Sequence, residues 1–280
     1  MERRFLSKLD IMAFKKYLIL EEKSDATVGK YIRDVTVFIT YVKERAITKD
    51  LVIAYKRRLQ ECYAARSINS MLASINGLFS FLGWHDLKVK SLKLQQKVYY
   101  PEEKELTKAE YICLCRAAET RKNRRLSLIV QTICCTGIRV SELQFITMES
   151  LQCGEATVIC KSKARTVFIV DALRQKLLCY AAEKRITKGM IFITRTGKPI
   201  GRTNIWREMK SLCQEAGVNP QKVYPHNLRH LFARVFYDME KDLVKLADIL
   251  GHSSIDTTRI YTISTGMEHR QQMEAMKLIL

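Results

Sequence analysis

Two histidines and an arginine crowd one turn in Pro225-His226-Asn227-Leu228-Arg229-His230. Positions 226, 229 and 230 are related as i, i+3 and i+4, so one helix face carries two imidazoles and a guanidinium. Pro225 suits the first helical position, which puts the group at a helix N-terminus with its partial positive charge. Such a group can bind an anion. It suits a metal poorly, because no carboxylate or cysteine cluster accompanies it and a guanidinium repels a cation. His230 fits a core position equally well. A second arginine stands in Thr136-Gly137-Ile138-Arg139-Val140-Ser141-Glu142-Leu143. A helix ending at Gly137, with Ser141 capping the next turn, points Arg139 into a cleft, where Glu142 can orient it through a bidentate pair. Standing alone, the same segment reads as a surface arginine beside a cap. The third cluster is Leu250-Gly251-His252-Ser253-Ser254-Ile255-Asp256-Thr257-Thr258-Arg259-Ile260-Tyr261. Gly251 ends a helix, Ser253 and Asp256 have capping-box spacing for the next, and His252 lies in the turn. Tyr261 is on its own an ordinary half-buried tyrosine.

The elements that must position these residues follow from periodicity. The first hundred residues read as four helices. Phe5, Leu9, Met12 and Phe14 begin the first, which runs to about Glu22. Val28, Ile32, Val35, Phe38, Ile39 and Val42 form the stripe of the second. Thr48 starts a third with Leu51, Tyr55, Leu59 and Cys62, and Ser67 a fourth that stops at Gly83. Residues 85–104 break the pattern, are first basic and then acidic, and read as a linker between a domain of residues 1–97 and one of residues 98–280. The second domain is mixed. Helices are expected at Thr107–Thr120, Asn123–Thr136 and near 171–186, 203–216, 225–239 and 242–250. Ala156–Cys160 and Thr166–Val170 read as a hairpin across Lys-Ser-Lys-Ala-Arg, and Met190–Thr194 as a short strand. The fold class is therefore mainly α with a small β component.

Composition sets the partner. Of 280 residues, 48 are Lys or Arg and 29 Asp or Glu, a net charge of +19. Residues 1–100 hold 19 basic and 10 acidic side chains, net +9; the remainder holds net +10. Both halves are basic and rich in apolar periodicity, which fits a folded clamp on a polyanion better than a globule with a charged tail. A hydrophobic fraction of 47% argues against disorder, and only 11 Gly and 4 Pro exclude collagen-like or Pro-rich character. The uncharged run Leu126–Ile138 falls short of a membrane span, and no signal-peptide core opens the chain. The nine cysteines, at 62, 113, 115, 134, 135, 153, 160, 179 and 213, form no C-x-x-C pair and read as small buried hydrophobes in a reducing cytosol.

In this order and at these spacings the three clusters resemble the motif boxes of the tyrosine recombinase (phage integrase-like) family. Thr-Gly-Ile-Arg-Val-Ser-Glu-Leu is similar to its first box, His-Asn-Leu-Arg-His to the His-x-x-Arg of its second, and Leu250–Tyr261 to its third. Ser24–Asp34 is similar to its helical core-binding domain, so the resemblance covers nearly the whole chain. The size resembles simple Xer-like recombinases and small invertases. The resemblance implies a helical core-binding domain plus an α/β catalytic domain in a C-shaped DNA clamp. It implies that Tyr261 attacks a phosphodiester to give a 3′-phosphotyrosyl link, with no metal and no other cofactor or ATP. Arg139 and Arg229 would grip the phosphate, His226 would assist the proton transfer from Tyr261, and His252 would donate to the phosphate, with Glu142 and His230 in support. The family's general-acid lysine sits on a β-hairpin that reads more like Gly-Lys-Gly-x-Lys-x-Arg. Here Lys161 is the better match and Lys163 the alternative, because the segment lacks both glycines and is one residue shorter. Lys30, Arg33, Arg66 and Asn69 are candidate groove contacts, and Lys163, Arg202 and Asn204 candidate phosphate contacts. The implied partner is double-stranded DNA with paired inverted half-sites, held by a homo-tetramer on two duplexes, with the tail 267–280 docking on a neighbour. The implied location is the bacterial cytoplasm at the nucleoid. Rival readings are a mobile-element integrase or transposase, a type IB topoisomerase, and a DNA-binding regulator without catalysis.

Overall fold

A computed structural model describes residues 4–94, 102–160, 163–261 and 266–276. The chain forms two compact units, Met1–Gln96 and Lys97–Leu280.

The first unit holds α1 (Lys8–Leu20), α2 (Asp25–Val42), α3 (Lys49–Cys62) and α4 (Ala65–Phe81). Ser7 and Asp10 close a capping box on α1. The buried face of α1 differs from expectation. Phe14 and Leu18 are buried, whereas Phe5, Leu9 and Met12 are exposed. At about 100° per residue, Leu9 and Met12 lie roughly 140–160° around the helix from Phe14. The stripe of α2 is as expected, with Val28, Val35, Phe38 and Val42 buried.

Residues 85–94 do not act as a linker; they are strapped onto α4. Asn76 exchanges both amide hydrogen bonds with Val89 at 2.9 and 3.0 Å, and Asn69 does the same with Leu92 at 2.9 and 2.7 Å. Asn69 and Asn76 are two helical turns apart, about 10.5 Å along the axis. The three residue steps from Val89 to Leu92 span roughly the same distance when extended, so the two carboxamides meet the chain in register. Lys56 and Lys49 donate to the carbonyls of Lys90, Asp86 and Lys88, and Leu87 and Val89 close the core. Of the rest of the expected linker, 95–101 lies outside the described residues and Glu102–Lys104 forms a 3-10 turn.

The second unit begins with α5 (Lys108–Thr120) and α6 (Arg124–Thr136), capped by Thr107 with Glu110 and by Asn123. Five consecutive α6 residues, Leu126–Val130, are buried, as befits a helix packed on several sides. It packs against α5 and against α8 (Asp171–Glu183), α9 (Arg202–Ser211) and α11 (Pro225–Glu240). Between α6 and α8 come a 3-10 segment, Val140–Phe145, then α7 (Met148–Cys153) and the strands β1 (Glu155–Cys160) and β2 (Lys163–Phe168). Cys160 pairs with Lys163, so Lys163, Ala164 and Arg165 belong to the strand, not to a long connection. Met190–Thr194 forms only isolated bridges, Met190 to Thr147 and Ile193 to Pro199. After α9 come α10 (Cys213–Ala216), then α11, α12 (Leu243–Leu250), α13 (Ile255–Arg259) and α14 (Gly266–Ala275). Among the described cysteines only Cys213 is buried; Cys62, Cys113, Cys135, Cys153 and Cys179 are exposed on outward helix faces. No described helix is long and apolar enough to cross a membrane.

Candidate active site

Helix ends build the site. α6 stops at Gly137, whose φ of +63° is the left-handed C-cap conformation. A Cβ there would lie 2.5 Å from the Phe232 ring, so the backbone of this junction is pressed against α11, the helix that carries the second box. Arg139 then becomes the N-cap of the 3-10 segment, a place expected for Ser141. Glu142 reaches back: Oε2 accepts from the Arg139 amide at 2.8 Å and Oε1 from its guanidinium at 2.9 Å. Glu142 is buried and its carboxyl lies below the ordinary range. Burial pushes it up, but hydrogen bonds from Arg165 and Arg139 outweigh that.

Pro225 opens α11, and Arg229 sits one turn in, fully buried. Its guanidinium donates to the Gly137 carbonyl, to the Leu250 carbonyl at 2.7 Å and to His252 Nε2 at 3.0 Å. The Tyr261 hydroxyl is among the groups that hold its pKa up. Arg229 therefore ties the first box, the end of α12 and His252 to α11. Desolvation and the Arg139 charge lower its pKa to about 10, which leaves it cationic at neutral pH.

α12 ends at Gly251, φ +64°, and the His252 amide folds back onto the Ala247 carbonyl at 2.9 Å. A guanidinium only donates, so His252 Nε2 is an acceptor and its proton is on Nδ1, given to Thr258 Oγ1 at 2.8 Å. Thr258 lies on α13, capped by Ser254 in place of the expected Ser253. Tyr261 follows α13 and is 2% exposed, set among Ala233, Leu246 and Leu250. Its ring stacks on His252 at 5.8 Å and 15° and meets His230 edge-on at 4.7 Å. The exposed His226 has its ring 6.3 Å away. All three histidines have lowered pKa values, His230 and His252 to about 4. Desolvation is the largest cause in each, followed by Arg229 for His226 and His252, and by His226 for His230. At pH 7 the site thus holds neutral imidazoles beside fixed guanidiniums. It can bind an oxyanion and accept a phenolic proton.

The fold brings Arg139, Glu142, His226, Arg229, His230, His252 and Tyr261 together. Lys161 lies outside the described residues, and for Lys163 the backbone position at the start of β2 is what is described. Arg33 and Arg66, and Arg202 and Asn204 in the first turn of α9, are exposed. Lys30 instead joins α2 to α4 through Asp34 at 2.6 Å and the Ser70 carbonyl at 2.9 Å, and Asn69 holds the strap. Sequence reasoning missed Arg165. Strand alternation carries the signal: Arg165 shares the inward face of Val167 and Ile169, an unusual place for a charge.

The sequence matches the phage integrase family over residues 104–267, and the N-terminal SAM-like domain of phage integrases over residues 11–86. The chain is 30% identical to the tyrosine recombinase XerA of Thermococcus kodakarensis over 96% of this chain and 95% of that one. It is 27% identical to the tyrosine recombinase XerC of Pediococcus pentosaceus, over 90% and 92%. In fold it matches a lambda integrase tetramer solved on a Holliday junction, with a TM-score of 0.74 and 16% identity over 93% of this chain and 78% of that one.

Proposed function

Because the chain belongs to the phage integrase family and is a tyrosine site-specific recombinase of the Xer-like kind, we propose that Tyr261 is its nucleophile and that Arg139, His226, Arg229 and His252 are its catalytic partners. The observation that carries this reading is the contact of Arg229 with Gly137, Leu250 and His252, whose ring stacks on Tyr261; these contacts join the three sequence boxes in one cluster.

The reaction follows from the groups present. The Tyr261 hydroxyl gives its proton to His226, neutral at pH 7, as its oxygen bonds to phosphorus. The P–O5′ bond breaks, leaving a 3′-phosphotyrosyl ester and a 5′-oxygen that takes a proton from Lys161, with Lys163 as the alternative donor. Attack by a 5′-hydroxyl of the second strand reverses the steps. One ester replaces another, so no outside energy source enters. Arg139 and Arg229 hold the non-bridging oxygens as their charge grows. His252 Nε2 accepts from Arg229 in the free protein; to donate to phosphate it takes up a second proton, which the nearby phosphate charge favours.

Arg33, Arg66, Arg202 and Asn204 are offered as DNA contacts. The enzyme works on paired inverted half-sites as a tetramer, with residues 267–280 docking on a neighbouring copy, and acts at the nucleoid. A nicked suicide duplex carrying the target site tests the chemistry. Wild type should trap a covalent adduct and Tyr261→Phe none; an adduct surviving that substitution moves the nucleophile elsewhere. A chain ending at residue 266 should cleave but fail to assemble synaptic tetramers, and normal tetramers would remove the tail from the assembly.

A further inference from the structure

Arg165 has no part in the reaction as described, yet it is built into the site. It stands on β2 opposite Val158, on the strand face that also buries Val167 and Ile169. A cation on such a face requires partners, and the first box and α12 supply them. Nη2 donates to Glu142 Oε2 at 2.8 Å, and Nε to the Ile249 carbonyl at 3.3 Å, at the C-terminal end of α12 where a cation is favoured. The aliphatic stem crosses Gly251 so closely that a Cβ there would collide with it. Glu142 thus sits between two guanidiniums. The Arg165 side chain is 11% exposed, that of Arg139 33%. One arginine is internal and the other faces outward from the same carboxylate.

We propose that Arg165 is a positioning residue for DNA cleavage, which through Glu142 sets the direction and the effective charge of Arg139. The assignment rests on the reading of Arg139 as a phosphate ligand. A pair of Glu142 with Arg139 alone is neutral and draws the guanidinium fork onto the carboxylate. With Arg165 as the second cation, the group of three carries net positive charge. Glu142 Oε2 then has a fixed partner besides the Arg139 amide, and Arg139 commits only one guanidinium nitrogen to Oε1. Its other N–H groups stay available to a phosphate. Arg165 also fixes α12 at Ile249, one residue before the Leu250 carbonyl that Arg229 holds, so the two phosphate ligands share a frame.

Single-turnover adduct formation on the suicide duplex, with protein saturating, tests this. Arg165→Ala should slow the step by about 100-fold, the scale of a misplaced catalytic group, and Arg165→Lys should recover part of the loss. DNA affinity should change by less than about threefold, because generic phosphate contacts carry binding. Two readouts separate positioning from general support. A neutral methylphosphonate at the scissile position should shrink the Arg165→Ala defect in parallel with that of Arg139→Ala. In a Glu142→Gln background, Arg165→Ala should add little. A defect undiminished on the methylphosphonate, or losses that multiply with Glu142→Gln, overturns the assignment while leaving the reading of the site intact. A wild-type protein that forms no Tyr261-dependent adduct overturns both. Thermal melts check folding, and if Arg165→Ala does not fold, Arg165→Lys carries the same two comparisons.

Discussion

Arg229 is bound on several sides by acceptors that a shorter or rounder cation cannot serve together. An ammonium has no planar fork, so Arg229→Lys should lower single-turnover cleavage by roughly 10²- to 10³-fold while Tyr261 remains present to attack. A loss below tenfold would mean that the guanidinium is structural. The histidines make a separate prediction about pH. His226, His230 and His252 all titrate below the ordinary histidine value in the folded chain, the last two at about 4. Between pH 6.5 and 4 the unfolded chain has taken up protons at His230 and His252 that the folded chain has not. Their contribution to stability is therefore complete above about pH 6.5 and is lost as pH falls toward 4. Melting temperature should drop over that interval, and less steeply in His230→Gln, which has no imidazole to protonate. An equal drop in that variant would place the acid sensitivity elsewhere.

At the scale of elements, what was legible in sequence is what is local. Thr107 with Glu110, Asn123 and Gly137 cap their helices within a few residues of themselves, so α5 and α6 are readable from the chain alone. The face of α1 was not, because Leu9 and Met12 compose a second apolar stripe and only the packing of α2 and α4 decides between the two. The strap was not, since Asn69 and Leu92 are 23 residues apart; Arg165 was missed because residues 161–165 read as the hairpin connection, whereas the strand already holds Lys163. Two substitutions test this level. Gly137→Ala forces a Cβ into Phe232 at a positive φ, whereas Gly154→Ala meets a positive φ of +78° with open space around it. The first should cost about 2–4 kcal/mol and the second about 1 kcal/mol, read from denaturant midpoints. Asn69→Ala should cost about 1–3 kcal/mol through two lost bonds to Leu92 and open residues 88–94 to proteolysis. Lost DNA affinity with unchanged stability would instead return Asn69 to the groove.

At the scale of the whole molecule, a charge of +19 divided as +9 and +10 is too evenly spread to belong to the chemistry. The reaction as proposed uses Arg139, Arg229 and one hairpin lysine, while Arg165 and Lys30 are paired inside the protein. Most of the surplus charge is expected to serve only as generic phosphate neutralisation, and such binding releases counterions. The logarithm of affinity should then fall linearly with the logarithm of salt concentration, with a slope of about −0.9 per phosphate neutralised. The exposed arginines and the catalytic ones separate on this measurement. Arg33→Gln and Arg66→Gln should each make the slope shallower by about one if they touch phosphate, with cleavage at saturating DNA unchanged. Arg229→Lys keeps the charge and should leave the slope where it is while the rate collapses. Lys30→Gln should leave the slope unchanged and lower stability, because its ammonium joins Asp34 on α2 to the Ser70 carbonyl on α4. Should Lys30→Gln flatten the slope as much as Arg66→Gln, the α2–α4 link opens on binding and that lysine reaches the DNA backbone after all.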